Sequence, residues 1–382
     1  MTPRMNVKPA LLQWACKRGQ VDPEKLRKRF PKYDEWESGT LKPTLKQMED
    51  FARFTHVSTL ALFMSEPMEE KMPIQDLRTA GDRKILRPSA NLLDTIYLCQ
   101  QRQDWYQTFA LIEGEEPLSF VGSATVESDV ETTAKEIQTT LGFGMEERKD
   151  LPSWTHALRY FIDQTDDLGI LVMISGVVGN NPHRKLDPRE FRGFALADDL
   201  APLVFINGAD TKAAQIFTLA HELAHIWLGE SSLSNVTPDS FPLHITERWC
   251  NEVAAELLVP AVSLREKFRE NTGLSDELQR LARQYKVSTL VVLRRLLNIG
   301  ALQRNEFTNQ YRYQLDQIKP KRGSGGGNFH ATLKTRVGRR FSEALVDSTL
   351  AGQTLFTEAF HYLGIKKTST LDAFAESLRG GN

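Results

Sequence analysis

The feature that most constrains this chain is a pair of histidines four residues apart in the apolar stretch TLAHELAHIWLG. On an α-helix, residues i and i+4 lie one turn apart on the same face, so His221 and His225 can both reach one metal ion. Glu222 projects about 100° around the helix from His221, where its carboxylate can act as a general base on a nearby water. Burying these three groups is costly without a metal or strong polar partners. The segment therefore predicts a buried helix with a metal site, the alternative being histidines that satisfy their hydrogen bonds locally.

If the metal is a catalytic zinc ion, it needs a third protein ligand besides the two histidines and one open position. The downstream stretch ITERWCNEVAAELLVP offers Glu247, Glu252 and Glu256. At about 100° per residue, Glu247 lies at the edge of the apolar helix face, whereas Glu252 and Glu256 fall on the opposite, solvated side. A carboxylate at a core-facing edge needs a partner, so we predict Glu247 as the ligand and Glu256 as the alternative. Asn251, one turn after Glu247, is predicted to orient a ligand. Glu247 could also be a first-turn acid favoured by the helix dipole.

Composition sets the general class of the protein. The chain has 382 residues, of which 41% are hydrophobic and 25% charged, as expected for a soluble globular protein of two or three domains. The net charge of −1 favours no polyanionic partner overall. The three cysteines (Cys16, Cys99 and Cys250) are far apart, which predicts no disulfide framework and a reducing, cytoplasmic location. Because the sequence contains no stretch of about 18 consecutive apolar residues, we expect no membrane helix and no membrane partner.

The pattern of apolar residues predicts an α+β fold that is mostly helical. The runs GILVMISGVV, FRGFALADD and APLVFING predict three strands of a small sheet. Two helices are predicted after them, near residues 211–229 and 245–258, joined by a polar loop. Helices are also predicted over residues 6–66, over 89–167 and beyond residue 275, with a last helical segment over about 336–379.

The run FINGADTKAAQIFTLAHELAHIWLG, followed by ERWCNEVAAELLVP, resembles the ImmA/IrrE metallopeptidases over about residues 165–265. The resemblance implies a zincin-like catalytic core in which a small sheet packs with the His-Glu-x-x-His helix. It implies that His221, His225 and Glu247 bind Zn²⁺ and that Glu222 is the base. It also implies a regulatory protease that cuts a repressor, often encoded nearby, and pairs the extended substrate with the strand Leu203–Asn207.

A second resemblance concerns the N-terminal residues. WESGTLKPTLKQMEDFARFTHVS resembles the second half of the helix-turn-helix domain of phage-type repressors, and LLQWACKRGQVDPEKLRKRF fits the first half. Between these two segments, such domains normally have a longer recognition helix. In this chain only residues 31–35 occupy that place. Lys28, Arg29 and Lys32 are the predicted contacts to DNA phosphates. The alternatives are a solvated helix face and a protein-binding or dimerisation module.

Together these patterns predict a zinc endopeptidase that hydrolyses a specific regulatory protein, such as a repressor or a neighbouring-gene product. The alternative is a transcriptional regulator or antitoxin-like protein of a prophage or toxin–antitoxin locus, which binds a partner and DNA with little proteolysis. The intact His-Glu-x-x-His motif favours the enzyme. A structural zinc domain is disfavoured because such sites usually have four ligands and are rich in cysteine. The predicted divisions are a helix-turn-helix-like domain at 1–66, a linker at 67–88, a metallopeptidase domain at 89–270, a helical extension at 271–318, a Gly-rich linker at 319–330 and a C-terminal helical segment at 331–382.

Overall fold

The computed structural model describes residues 3–78, 88–235, 244–317 and 328–380. The chain divides into two units. The first contains Met1–Pro73 and Leu86–Ile96, and the second contains Ile74–Ile85 and Tyr97–Asn382.

The first unit is a group of short helices around an aromatic core. Its helices are α1 (Pro9–Arg18), α2 (Pro23–Arg29), α3 (Tyr33–Glu37) and α4 (Leu45–Thr55), followed by a 3₁₀ helix at Leu60–Phe63. Phe30, Trp36 and Phe51 pack together in the core. α4 ends at Thr55 because His56 adopts the left-handed conformation (φ 58°).

Helices lead into the sheet of the second unit, as the apolar pattern predicts. They are α5 (Ala90–Glu113), which begins in the first unit, α6 (Val130–Leu141), α7 (Met145–Lys149) and α8 (Trp154–Asp167). The side chain of Ser153 accepts a hydrogen bond from the backbone N–H of His156 and so caps α8.

A mixed five-stranded sheet lies at the centre of the second unit. Its strands are β1 (Gln75–Asp76), β2 (Leu171–Ser175), β3 (Gly193–Leu196), β4 (Leu203–Asn207) and β5 (Ser232–Ser234), in the spatial order β1-β5-β3-β4-β2. β3 is antiparallel to both β4 and β5, whereas β2–β4 and β1–β5 are parallel pairs. The three predicted strands are confirmed as β2, β3 and β4.

Two features of the sheet differ from expectation. β1 lies inside the segment predicted as a linker, and β5 lies in the predicted polar loop, because strands of two or three residues are too short to show an alternating pattern. The expected pairing of a substrate with Leu203–Asn207 is wrong for this fold. β4 is an interior strand, hydrogen-bonded to β2 on one side and β3 on the other, so its backbone groups are already used.

The helices predicted near 211–229 and 245–258 are α9 (Lys212–Leu228) and α10 (Ile245–Leu258), which pack against each other. Four more helices follow: α11 (Ala261–Lys267), α12 (Leu274–Tyr285), α13 (Thr289–Asn298) and α14 (Arg304–Gln317). The last helical segment is four helices rather than one: α15 (Phe329–Val337), α16 (Arg339–Leu350), α17 (Phe356–Leu363) and α18 (Thr368–Arg379). The turn at Gly338 (φ 87°) separates α15 from α16.

Residues 319–327, which make up most of the predicted Gly-rich linker, lie outside the described residues. The last two positions of that linker, Phe329 and His330, are already the first turn of α15. Within the described ranges, no helix combines the length and apolar character that a membrane span requires.

Candidate metal centre

Helix α9 carries the two histidines and the glutamate of the motif in a fully buried position. The side chain of Thr211 caps its first turn, and Gly229 ends it in the left-handed conformation (φ 69°). His221, Glu222 and His225 are each 0% exposed. Because α9 packs between α10, α8 and the sheet, its apolar residues face protein on nearly every side, and the polar groups have no access to solvent.

Three donor atoms meet between α9 and the first turn of α10. His221 Nε2 and His225 Nε2 are 3.1 Å apart, and Glu247 Oε1 lies 3.6 Å from the first and 3.3 Å from the second. Donors around a tetrahedral zinc ion at about 2.1 Å are separated by about 3.4 Å, so these spacings fit such an ion. Two imidazoles and one carboxylate are also the donor set of catalytic zinc sites. The three residues therefore could hold a divalent metal ion.

The protonation states of the ligands also suit a metal. Burial lowers the pKa of His225, which favours the neutral ring that a metal requires. Burial acts to raise the pKa of Glu247, but the adjacent His221 and His225 outweigh it, and the net pKa lies well below the usual range. Glu247 is therefore ionised and ready to bind a cation. The Nδ1 atoms of both rings have no hydrogen-bond partner among the described residues.

The pKa of Glu222 is shifted in the opposite direction from that of Glu247, although both side chains are buried. Burial, together with the negative charge of Glu247, raises the pKa of Glu222 well above its ordinary value. Neither carboxylate oxygen of Glu222 has a hydrogen-bond partner among the described residues, and a water beside the metal would supply one. With a cation bound at the three donors, the ionised form of Glu222 would be favoured and could act as a general base on that water.

Two residues of this site were not predicted. Ser234 on β5 places its Oγ 3.2 Å from His221 Nε2, 3.4 Å from His225 Nε2 and 3.1 Å from Glu247 Oε1, to which it donates a hydrogen bond. Gly193 on β3 lies against Glu222, since a Cβ at position 193 would be 2.9 Å from Glu222 Oε1. Both positions reach the site through strand pairing, and no local sequence pattern distinguishes them.

The other predicted site residues lie as follows. The Oδ1 atom of Asn251 is buried and has no partner among the described residues, and the contact to Glu247 is made by Ser234 instead. Glu252 is exposed, but the solvated position predicted for Glu256 is wrong. Glu256 is buried because Arg295 of α13 forms an ion pair with it, a tertiary contact that helical phase does not reveal.

The predicted DNA contacts belong to the first unit. Lys28, Arg29 and Lys32 are all exposed, on α2 and just before α3. α3 is five residues long, and its first turn contains Asp34 and Glu35. The role of these basic residues in DNA binding stays a prediction.

A buried His-His-Glu donor set on two packed helices beside a small mixed sheet defines a metallopeptidase-like domain. Residues 165–297 match the family model of the IrrE N-terminal-like domain (Peptidase_M78), which supports the resemblance of this part of the chain to the ImmA/IrrE family. Residues 337–377, which include α16 and α17, match a domain of unknown function (DUF8813). No curated protein matches the chain.

Proposed function

We propose that this protein is a zinc endopeptidase that hydrolyses one bond in a specific regulatory protein, such as a repressor or a neighbouring-gene product. The observation that carries the proposal is the meeting of three metal-type donors with a fourth buried group, Glu222, whose two carboxylate oxygens have no hydrogen-bond partner among the described residues. A Zn²⁺ ion held by His221, His225 and Glu247 would polarise the scissile carbonyl and lower the pKa of the attacking water to about 7.

Within this scheme Glu222 moves the proton. Its carboxylate takes a proton from the attacking water and then delivers it to the nitrogen of the leaving amine. A Zn²⁺ ion held by the three ligands would favour the ionised form of Glu222, which accepts the proton and holds it until the C–N bond breaks. Gly193 leaves space for the carboxylate against β3, and Glu247, kept ionised by the neighbouring imidazoles, stays available to the metal.

The burial of the site supports narrow specificity. His221, Glu222 and His225 are fully buried and Glu247 is 3% exposed, so a peptide reaches them only after surrounding elements move. A protein partner can supply the binding energy for that movement, whereas a short unstructured peptide supplies little. We therefore expect cleavage of a cognate protein and slow or no cleavage of generic peptides.

The same burial favours a second candidate function. In that case the protein is a transcriptional regulator or antitoxin-like protein whose metal domain binds a partner with little proteolysis. Lys28, Arg29 and Lys32 would then contact DNA phosphates. The interior position of β4, which removes the expected pairing site for a substrate, is consistent with this alternative.

The deciding experiment combines metal analysis with cleavage assays. We expect about one zinc ion per chain in the parent, loss of that zinc in His221→Ala, and retention in Glu222→Gln. Incubated with neighbouring-gene products, the parent should cut one of them, and Glu222→Gln should be slower by about 10²–10⁴-fold. Glu252→Gln, the same substitution at an exposed position of α10, is the control and should match the parent. Zinc binding without cleavage of any candidate would favour the regulator instead.

A further inference from the structure

Ser234 has an unusual position for a residue outside the predicted ligand set. Its Oγ lies at nearly equal distances, 3.1 to 3.4 Å, from all three donor atoms of the metal centre. We propose that Ser234 Oγ is a fourth oxygen donor, which completes a tetrahedron with His221, His225 and Glu247 and closes the resting metal site. This inference rests on the metal binding proposed above and goes beyond it by naming a further ligand.

The geometry of the four atoms carries the inference. The three distances among the donors are 3.1, 3.3 and 3.6 Å, which is nearly the same range as the three distances from Ser234 Oγ. Four atoms with six similar separations form a nearly regular tetrahedron. A tetrahedron with edges of about 3.3 Å has its centre about 2.0 Å from every corner, and this is the length of a Zn–N or Zn–O bond. A hydroxyl that served only as a hydrogen-bond partner of Glu247 would not need equal distances to the two imidazoles.

The strand holds this hydroxyl in place. β5 is paired on both sides, with β1 and with β3, and Ser234 is directly opposite Gly193 in the β3 register. The carbonyl of Ser234 accepts a hydrogen bond from the backbone N–H of Arg192, and the residue is 0% exposed. Its Oγ is therefore a fixed internal group rather than a surface hydroxyl that rotates freely.

A fourth protein donor has a consequence for activity. Catalytic zinc sites keep one position open for water or substrate, whereas sites with four protein ligands are closed. With Ser234 as the fourth donor, the conformation described here is a closed resting form. Cleavage would require the Ser234 hydroxyl to give up that position to water or substrate. The full burial of the donors agrees with such a resting form.

The test uses cobalt-loaded full-length protein and the variants Ser234→Cys and Ser234→Ala. Ser232 provides the matched control: it is two residues earlier on β5, hence on the same face, is also buried, and its Oγ has no partner among the described residues. If position 234 ligates the metal, Co²⁺-loaded Ser234→Cys will show a thiolate-to-cobalt charge-transfer band that Ser232→Cys lacks. Ser234→Ala should bind Zn²⁺ at least about tenfold more weakly than Ser232→Ala in a chelator competition.

The outcomes separate the two proposals. One outcome would be that the parent binds metal, Ser234→Cys shows no charge-transfer band, and Ser234→Ala binds Zn²⁺ as tightly as Ser232→Ala. The fourth-donor inference is then wrong, and the metal lies on the side of the plane through His221 Nε2, His225 Nε2 and Glu247 Oε1 that faces away from Ser234. If the parent binds neither Zn²⁺ nor Co²⁺, the proposed function fails and the inference fails with it. Circular dichroism of each variant shows that the fold is retained.

Discussion

At the residue scale, two buried carboxylates on neighbouring helices have opposite proton affinities. Glu247 is next to two imidazoles and stays ionised, whereas burial and the negative charge of Glu247 raise the pKa of Glu222. Gly193 allows β3 to pass close to the carboxylate without displacing it.

We expect Gly193→Ala to impair catalysis while leaving the metal ligands intact. The new Cβ would lie 2.9 Å from Glu222 Oε1 and 2.6 Å from Thr218 Cγ2, so the carboxylate or the strand must shift. Such overpacking costs about 1–3 kcal/mol of stability. Zinc content should stay at the parent level while cleavage of the cognate partner falls. Gly273→Ala, where a Cβ meets only Asp276 at 3.7 Å, is the control. Loss of zinc in Gly193→Ala would contradict the assigned role.

A second prediction concerns Asp166 on α8, which is 1% exposed. Burial raises its pKa to about 7, only partly offset by Arg339. Since the ordinary Asp pKa is about 4, the folded state holds this proton more tightly than the unfolded state. The free energy of unfolding therefore falls as pH rises from about 4 to about 7, by up to about 4 kcal/mol, and levels off above that.

Asp166→Asn should remove this pH dependence while preserving the Oδ1 that accepts the N–H of Val172. The free energy of unfolding in urea should fall by about 3 kcal/mol in the parent from pH 5 to pH 8 but not through this group in the variant. The variant should therefore gain that amount relative to the parent across this pH range. Asp167→Asn is the matched control, because Asp167 also contacts Arg339 but is 60% exposed. If both variants show the same pH profile, Asp166 does not titrate in this way.

The site residues that could be predicted are those whose geometry depends on one helix. His221 and His225 share a helical face by spacing alone, and the phase of α10 places Glu247 at the edge of its apolar face. Ser234 and Gly193 could not be predicted, because they reach the site through the pairing of β5 with β3. Strands of three or four residues show too little alternation for such pairing to be read from sequence.

At the scale of elements, the sequence pattern predicts the long helices and the apolar strands. It does not predict the order of the strands in the sheet or the contacts between helices. The strands β2 to β4 are fully buried runs of four or five residues, which is why their composition revealed them. Their spatial order, which puts β4 inside the sheet, depends on contacts between distant segments. The same holds for α10, whose outer face is covered at Glu256 by Arg295 of α13.

The Glu256–Arg295 pair therefore joins α10 to α13, and we expect it to matter for stability. Arg295→Met leaves a buried carboxylate without its cation, which costs about 3–5 kcal/mol. Adding Glu256→Gln in the same chain should restore part of this loss, because the unpaired charge is removed. Chemical denaturation of both single variants and the double variant measures the coupling. The control is Arg294→Met, since Arg294 bonds Asn298 at the surface. Additive effects of the two substitutions would show that the pair is not coupled.

At the scale of the whole molecule, the two units have separate cores, and the metal donors all belong to the second unit. A ligand that binds only the folded state stabilises it by about 2.7 kcal/mol at a concentration one hundred times its Kd. Zinc would join α9 to α10, so this stabilisation should appear in the second unit.

Hydrogen exchange with and without zinc tests this distribution directly. Peptides from α9, α10 and β5 should exchange more slowly when zinc is added, because local opening there must break bonds to the ion. Peptides from α1 to α4 hold no donor of the site and should exchange at the same rate in both conditions. In His221→Ala, zinc should slow neither set, which separates binding at this site from adventitious binding elsewhere. Equal slowing of α1 to α4 in the parent would mean that the two units unfold together.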